Sequence, residues 1–322
     1  MKIGIFSCSS PGGSNFPIRL NRALKKLENY GNEIICGKLI RGNNYYRTAT
    51  INDRADEFNS LISSNVDILM SSIGGSNSNS IVDKINYNML NKINKKLIVC
   101  GYSDTTVILL AILRKCKKIR VLYGPALIST FGDWEEEFVD YTYKDFVSVI
   151  EKKSEVIVPP KHWTDDIKNW SKYEGIRNIK INDWKFLGFT KNIKGRVIGG
   201  NLSALIGTYG SEYGLNVKKG DILLIEDSCK NAEIIEKNFS FLLLNKIFNK
   251  CSAILLGKHE RFDDQGSKIN SIDILNEVLK SRNMCIPIVY DVDFAHTKPM
   301  SIIELNSTIE IDFINKKIKK IY

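Results

Sequence analysis

Apolar residues in the first half of the chain fall in two rhythms that take turns. Short apolar runs occur at residues 3–8, 33–36, 66–70, 97–100 and 121–123. Runs this short, with polar or glycine-rich flanks, predict buried strands. Between them the apolar positions take helical spacing. Leu20, Ala23, Leu24 and Leu27 share one face, and Gly31 follows as a helix stop. Ile51, Ala55, Phe58 and Ile62 mark a second face, and a helix begins near Val107. Repeated strand–helix units predict a parallel sheet covered on both faces. Ligand sites in such sheets lie beyond the carboxyl ends of the strands.

The rhythm breaks between about residues 156 and 194. Pro159 and Pro160 open this stretch, and Trp163, Trp170, Tyr173, Trp184 and Phe186 stand in it among many charges. It reads as a connector with functional loops. Regular patterning resumes near Gly195. Residues 221–225, 253–256 and 286–290 predict strands, and 232–248 and 272–279 predict helices. Residues 301–318 alternate as a strand does. The expected organisation is an α/β domain over 1–158, a connector and substrate loop over 159–194, and a second α/β domain over 195–322.

Composition narrows the class. With 322 residues and 43% apolar content, the chain can build a large core. No apolar run approaches the roughly 20 residues that span a bilayer. Polar Ser9, Ser10, Gly12 and Asn15 interrupt the N-terminal apolar run too early for a signal peptide. The chain is therefore expected in the cytoplasm and off the membrane. Its seven cysteines are scattered and never in CxxC spacing, which argues against disulfides and zinc clusters. The net charge of +10 comes from lysines spread along the chain without a long basic block, so no nucleic-acid partner is expected.

The chemistry has few candidates. Only His162, His259 and His296 can serve as an imidazole base. The most informative segment joins the apolar run 97–100 to Gly101, Tyr102, Ser103, Asp104 and Thr105, with a helix at once after it. A strand running through Gly-x-Ser into a helix is the pattern of a nucleophile elbow. The tight turn exposes the hydroxyl, and the next backbone N–H faces a developing oxyanion. Thr105 occupies the place of the second glycine, and Ser103 or Asp104 acting simply as a helix cap fits the segment equally well. A second Gly-rich turn, 71–80, also follows a strand, but it does not match a P-loop. Glu226 ends the run 221–225, either as a solvated strand end or as the acid that orients a histidine. His296 follows the run 286–290 by a short loop. A serine hydroxyl needs a base, and the base needs an acid to set its tautomer.

Five segments recur in this order in one family. They are Ser9-Ser10-Pro11, Gly101-Tyr102-Ser103-Asp104, Gly124-Pro125, Gly199-Gly200-Asn201-Leu202 and His296-Thr297-Lys298-Pro299. Along nearly its whole length the chain resembles the LD-carboxypeptidases and microcin C immunity peptidases. That resemblance implies a flavodoxin-like parallel sheet domain followed by a mixed α/β domain. It implies Ser103 as nucleophile, Glu226 as orienting acid and His296 as base. The backbone N–H groups of Asp104 and Gly75 would hold the oxyanion, with no metal and no cofactor. Residues 73–80 resemble the immunity branch, which implies substrate contacts from Ser76, Asn77 and Asn201. Trp163-Thr164-Asp165 resembles that branch's base-stacking loop, and a tryptophan face suits adenine. Ala295, Asp166 and the run 302–306 depart from the family pattern. The implied function is hydrolysis of an amide in a peptidyl- or aminoacyl-nucleotide by a homodimer, giving resistance to a microcin C-like antibiotic. The alternatives are cleavage of murein tetrapeptides and a non-catalytic nucleotide-binding module.

Overall fold

The computed structural model describes residues 1–188 and 191–322. The first apolar runs form strands β1 (Lys2–Phe6), β2 (Glu33–Cys36), β3 (Ile68–Ser71), β4 (Ile98–Gly101) and β5 (Arg120–Tyr123). They lie parallel in the order β5-β4-β3-β1-β2. This is the flavodoxin-like strand order, with its switch point between β1 and β3. The covering helices follow the apolar spacing. Helix Pro17–Asn29 buries Leu20, Ala23 and Leu27, and Gly31 beyond its end has φ +79°. Helix Ile51–Ile62 starts at Thr50, whose hydroxyl accepts the Asp53 N–H.

Among the described residues the strands just before and within the connector are short. These are β6 (Val156–Ile157), β7 (His162–Trp163), β8 (Lys180–Ile181) and β9 (Lys185–Leu187). The second unit contributes β10 (Asn192–Asn201), β11 (Asp221–Glu226), β12 (Cys251–Gly257) and β13 (Ile288–Val292). The chain ends with β14 (Ile303–Leu305), β15 (Thr308–Asp312) and β16 (Lys317–Ile321). Among the described residues the second sheet runs β6-β16-β15-β10-β11-β12-β13-β9, with β10 to β13 parallel and the flanking pairs antiparallel.

Strand β11 is buried at every position. Its side chains divide by the two-residue period of a strand. Ile222 and Leu224 join the large core shared with the first sheet, while Leu223 and Ile225 join a second core under helices Ala232–Leu244 and Ser271–Lys280. Each such side chain, fully buried, contributes about 1.5–3 kcal/mol of transfer free energy. The two units are thus sewn together over a wide apolar face. Strand β14 adds to this, because it leaves the C-terminal unit and pairs antiparallel with β5 at the edge of the first sheet.

One predicted element is shorter than expected. The helix read over 232–248 ends at Leu244, with Asn245 as its cap and Lys246 at φ +57°. A left-handed residue breaks the helical hydrogen-bond ladder. The apolar spacing carries on past that break, through Ile247 and Phe248, because both are still packed into the second core.

Candidate active site

The carboxyl ends of β1, β3 and β4 meet at the switch point. Ser9 follows β1, residues 72–77 follow β3, and Ser103 follows β4. Ser103 has φ +60°, an uncommon left-handed conformation for a residue with a side chain. Ser103 therefore lacks the geometry of an ordinary cap, since a capping serine takes extended backbone angles, and no side-chain cap hydrogen bond forms at this turn. Helix Thr106–Lys115 follows directly.

The glycine-rich turn lies against this elbow. Gly75 has φ +153°, and a Cβ there would fall 2.1 Å from Ser9 Oγ. A Cβ on Gly74 would stand 2.9 Å from both Cβ and Oγ of Ser103. Any other residue at either position would push the turn away. The Asp104 carboxylate locks the contact. It accepts from Ser9 Oγ at 2.6 Å, from Asn77 N–H at 3.0 Å and from Ser78 N–H at 2.9 Å. The Gly75 N–H has no hydrogen-bond partner among the described residues. Asn77 spends its side-chain oxygen on buried Arg54, at 2.7 Å, and on Ser9. Ser76 is exposed on the rim.

Strand β10 enters from the second unit. Gly200 has φ +148°, and a Cβ there would lie 2.5 Å from Thr106 Cγ2. Its absence lets β10 press against the first turn of the elbow helix. Asn201 then lines the cleft, but its amide is committed. Nδ2 donates to Glu226 Oε1 at 3.1 Å and to Asp227 Oδ1 at 3.3 Å, and Oδ1 caps the next helix.

Glu226, at the end of β11, is buried. Its Oε2 lies 2.7 Å from His296 Nδ1, and its Oε1 accepts from Tyr123 Oη at 2.5 Å. Burial pushes the Glu226 carboxyl up, but His296, Tyr123 and Asn201 outweigh it and hold the group below its usual range. Burial pushes the His296 imidazolium down, and Glu226, with Glu260 and Asp227 behind it, raises it above its ordinary value. The Nδ1 contact with a carboxylate leaves Nε2 as the accepting nitrogen of the neutral ring. Among the described residues no hydrogen bond joins His296 to Ser103. The Tyr102 ring packs edge-on against His296, at 4.8 Å between centroids.

The other histidines differ. His259 is pushed down to about 4 by burial, and its Nε2 accepts the Lys230 N–H at 3.3 Å. With its basicity lowered by burial and its accepting nitrogen occupied by a backbone N–H, this ring is poorly suited to take a proton. His162 is half-buried in β7. Among the described residues no group of three or more His, Cys, Asp or Glu side chains is placed to hold a metal ion.

The cleft beside Ser103 has a volume of about 250 Å³ and is lined by Gly75, Ser76, Asn79, Asn201 and Lys230 among others. It adjoins a cavity of about 440 Å³ that shares Cys229 and Lys230 and adds Arg261. Trp163 is half-buried, with the Lys180 ammonium 4.6 Å and the Lys258 ammonium 5.2 Å from its ring centroid. Thr164 pairs with Lys298 through both backbone hydrogen bonds, which brings this segment beside the His296 loop.

Three contributors escaped the sequence reading. Tyr123 ends an ordinary apolar run. Arg54 hides in an amphipathic helix. Asp133 binds Arg19 at 2.7 Å, Arg177 at 2.9 Å and Lys298 at 2.8 Å, and so ties the connector to the His296 loop. A tyrosine closing a strand just before Gly124-Pro125 was the only local signal among them.

Residues 3–124 match the LD-carboxypeptidase N-terminal domain and residues 194–311 the LD-carboxypeptidase C-terminal domain. The microcin C7 self-immunity protein MccF of Escherichia coli is 41% identical, covering 98% of this chain and 92% of MccF. A protein of Vibrio cholerae serotype O1 named as a carboxypeptidase is 40% identical, covering 99% of this chain and 94% of that protein. Solved structures of MccF with aspartyl sulfamoyl adenosine and with glutamyl sulfamoyl guanosine each superpose with a TM-score of 0.95 at 38% identity, covering all of this chain and 96% of theirs. By sequence and fold, then, the chain belongs to the LD-carboxypeptidase family, peptidase family S66, and is a serine hydrolase.

Proposed function

We propose that this hydrolase cleaves an amide bond in aminoacyl- or peptidyl-nucleotides and thereby gives immunity to a microcin C-like antibiotic. The observation that carries the reading is the 2.7 Å contact between His296 and buried Glu226 at the junction that also holds the strained Ser103 elbow. In this reading Ser103 attacks the amide carbonyl and His296 Nε2 takes its proton. Glu226 holds the imidazole by Nδ1 and stabilises its charge. The Asp104 and Gly75 N–H groups receive the oxyanion. His296 then protonates the leaving amine, and water releases the acyl group. The Ser103–His296 hydrogen bond is expected to form as substrate binds, since catalytic contacts of this kind tighten in the Michaelis complex. Lys230 and Arg261 give the cleft positive charge for an acidic aminoacyl side chain or a sulfamoyl-like linker. Cytoplasmic residence and a homodimer belong to the same proposal.

The Vibrio cholerae relative, named as a carboxypeptidase and about as similar as MccF, favours a second reading, cleavage of an L-to-D bond in murein tetrapeptides. Kinetics on an aspartyl-adenylate amide analogue and on a tetrapeptide decide between them. We expect hydrolysis of the first and little of the second. Ser103→Ala is expected to lose on the order of 10⁶ in kcat with the fold intact. Robust tetrapeptide cleavage alone moves the protein to the second reading, and no turnover of either by wild type points to a binding module.

A further inference from the structure

We propose that Tyr123 is a positioning residue that holds the Ser103 elbow and the Glu226 carboxylate in one geometry. The proposal rests on the triad reading above and adds a residue to it. Tyr123 closes β5, its backbone lies opposite Gly101 in β4, and its side chain is completely buried. Its hydroxyl oxygen accepts the Ser103 N–H at 3.4 Å and donates to Glu226 Oε1 at 2.5 Å. One atom therefore touches the elbow of the first unit and the acid of the second.

The direction of the bond to Glu226 follows from the groups. A carboxylate can only accept, so the phenol must donate. Burial and the neighbouring carboxylate push the phenol well above its ordinary value, so it keeps its proton. Glu226 then has a division of labour. Oε1 is held by two neutral donors, Tyr123 and Asn201, and Oε2 is left for His296. The two neutral donors draw charge toward Oε1 and restrain how strongly Oε2 holds the imidazolium. They also fix the carboxylate plane, and with it the direction in which Nε2 points.

Tyr123→Phe removes one oxygen and keeps the ring that fills the core. We expect kcat to fall about 10- to 100-fold, the size of one lost hydrogen bond to a charged group. KM should stay within about twofold, because the cleft is not lined by Tyr123. The acid limb of kcat should move to higher pH, since Oε2 would hold the imidazolium more tightly. Glu260, Asp227, His259 and Tyr102 also face the pair and are unchanged in the variant. Tyr87→Phe is the control. It removes a half-buried phenol hydroxyl bonded to the Val82 carbonyl, neither residue lining the cleft, and should lower Tm without changing kcat.

Wild-type kcat with an unmoved limb in Tyr123→Phe, alongside a Tm loss like that of the control, reduces Tyr123 to packing and overturns the proposal. A fall in kcat with an unmoved limb assigns it to the elbow alone and overturns the coupling to Glu226. If instead Ser103→Ala or His296→Ala keeps activity, it is the triad reading that fails, and those two variants show it independently of Tyr123.

Discussion

Two buried carboxylates stand on either side of the His296 loop, and their settings differ in kind. Asp133 faces three cations, Arg19, Arg177 and Lys298. Glu226 is hydrogen-bonded to one histidine, His296, and to two neutral donors, Tyr123 and Asn201. Burial pushes the Asp133 carboxyl up, and Lys298 and Arg19 pull it well below the usual carboxylate range. Glu226 is also depressed, but it leans on a charge that His296 sheds as pH rises. A carboxylate among permanent cations is a fixed anchor. A carboxylate beside one histidine responds to protons. The first suits the joining of connector, first unit and His296 loop, and the second suits proton transfer.

The sharpest way to break this comparison is Glu226→Gln. The amide keeps the shape but removes the charge that selects the His296 tautomer. By analogy with other triads, a loss of roughly 10⁴ in kcat is expected, with a small change in Tm. A variant within tenfold of wild type would mean that Glu226 only fills space. The pH signs separate the two sites as well. The raised His296 pKa means that its pairing stabilises the fold below the ordinary histidine value of about 6.5 and fades as pH rises through the folded value. Activity has the opposite sign, because the base must be neutral, so the acid limb of kcat/KM should lie above about 6.5. Asp133, with a depressed pKa, contributes stability that is present above about 3.9 and lost only in stronger acid.

Asp133→Asn tests the anchor. Removing one partner of a buried ion network typically costs about 3–5 kcal/mol. Here Tm should fall clearly, and kcat should drop with it because Lys298 loses its partner two residues from His296. An unchanged Tm would show that the cations find other partners.

The smallest expected effect concerns the substrate's far end. If Trp163 stacks on a nucleobase, Trp163→Ala should weaken an aspartyl-adenylate analogue by about 1–3 kcal/mol and a murein tetrapeptide much less. Lys180, half exposed over the ring, can yield to a base, whereas Lys258 is held by Asp293 at 2.7 Å. Equal kcat/KM losses on both substrates would make Trp163 a packing residue between β7 and the His296 loop.

Much of this was written locally. The alternation of apolar runs and helical faces is a property of neighbouring residues, so β1 to β5 could be read directly, whereas the turn after β4 read equally well as an elbow or a helix cap. The close of β11 on Glu226 was equally legible. What Glu226 meets was not, since His296 lies seventy positions away along the chain and Tyr123 more than a hundred. The run containing β14 alternates like any strand, yet nothing local says that it joins the first sheet rather than the second. The overlong helix at 232–248 shows the converse error, because Ile247 and Phe248 stay apolar for the core after the backbone has turned away.

The sequence by itself determined the parallel α/β plan, a serine just beyond a strand end and the short supply of histidines. Periodicity and turn chemistry act over a few residues, and so a linear text can carry them. Only the tertiary structure decided which carboxylate meets which histidine, that Tyr123 bridges the two units, and that Asp133 gathers three cations. Those are meetings across long separations, paid for by the shared core that presses two sheets together, and no spacing along the chain encodes them.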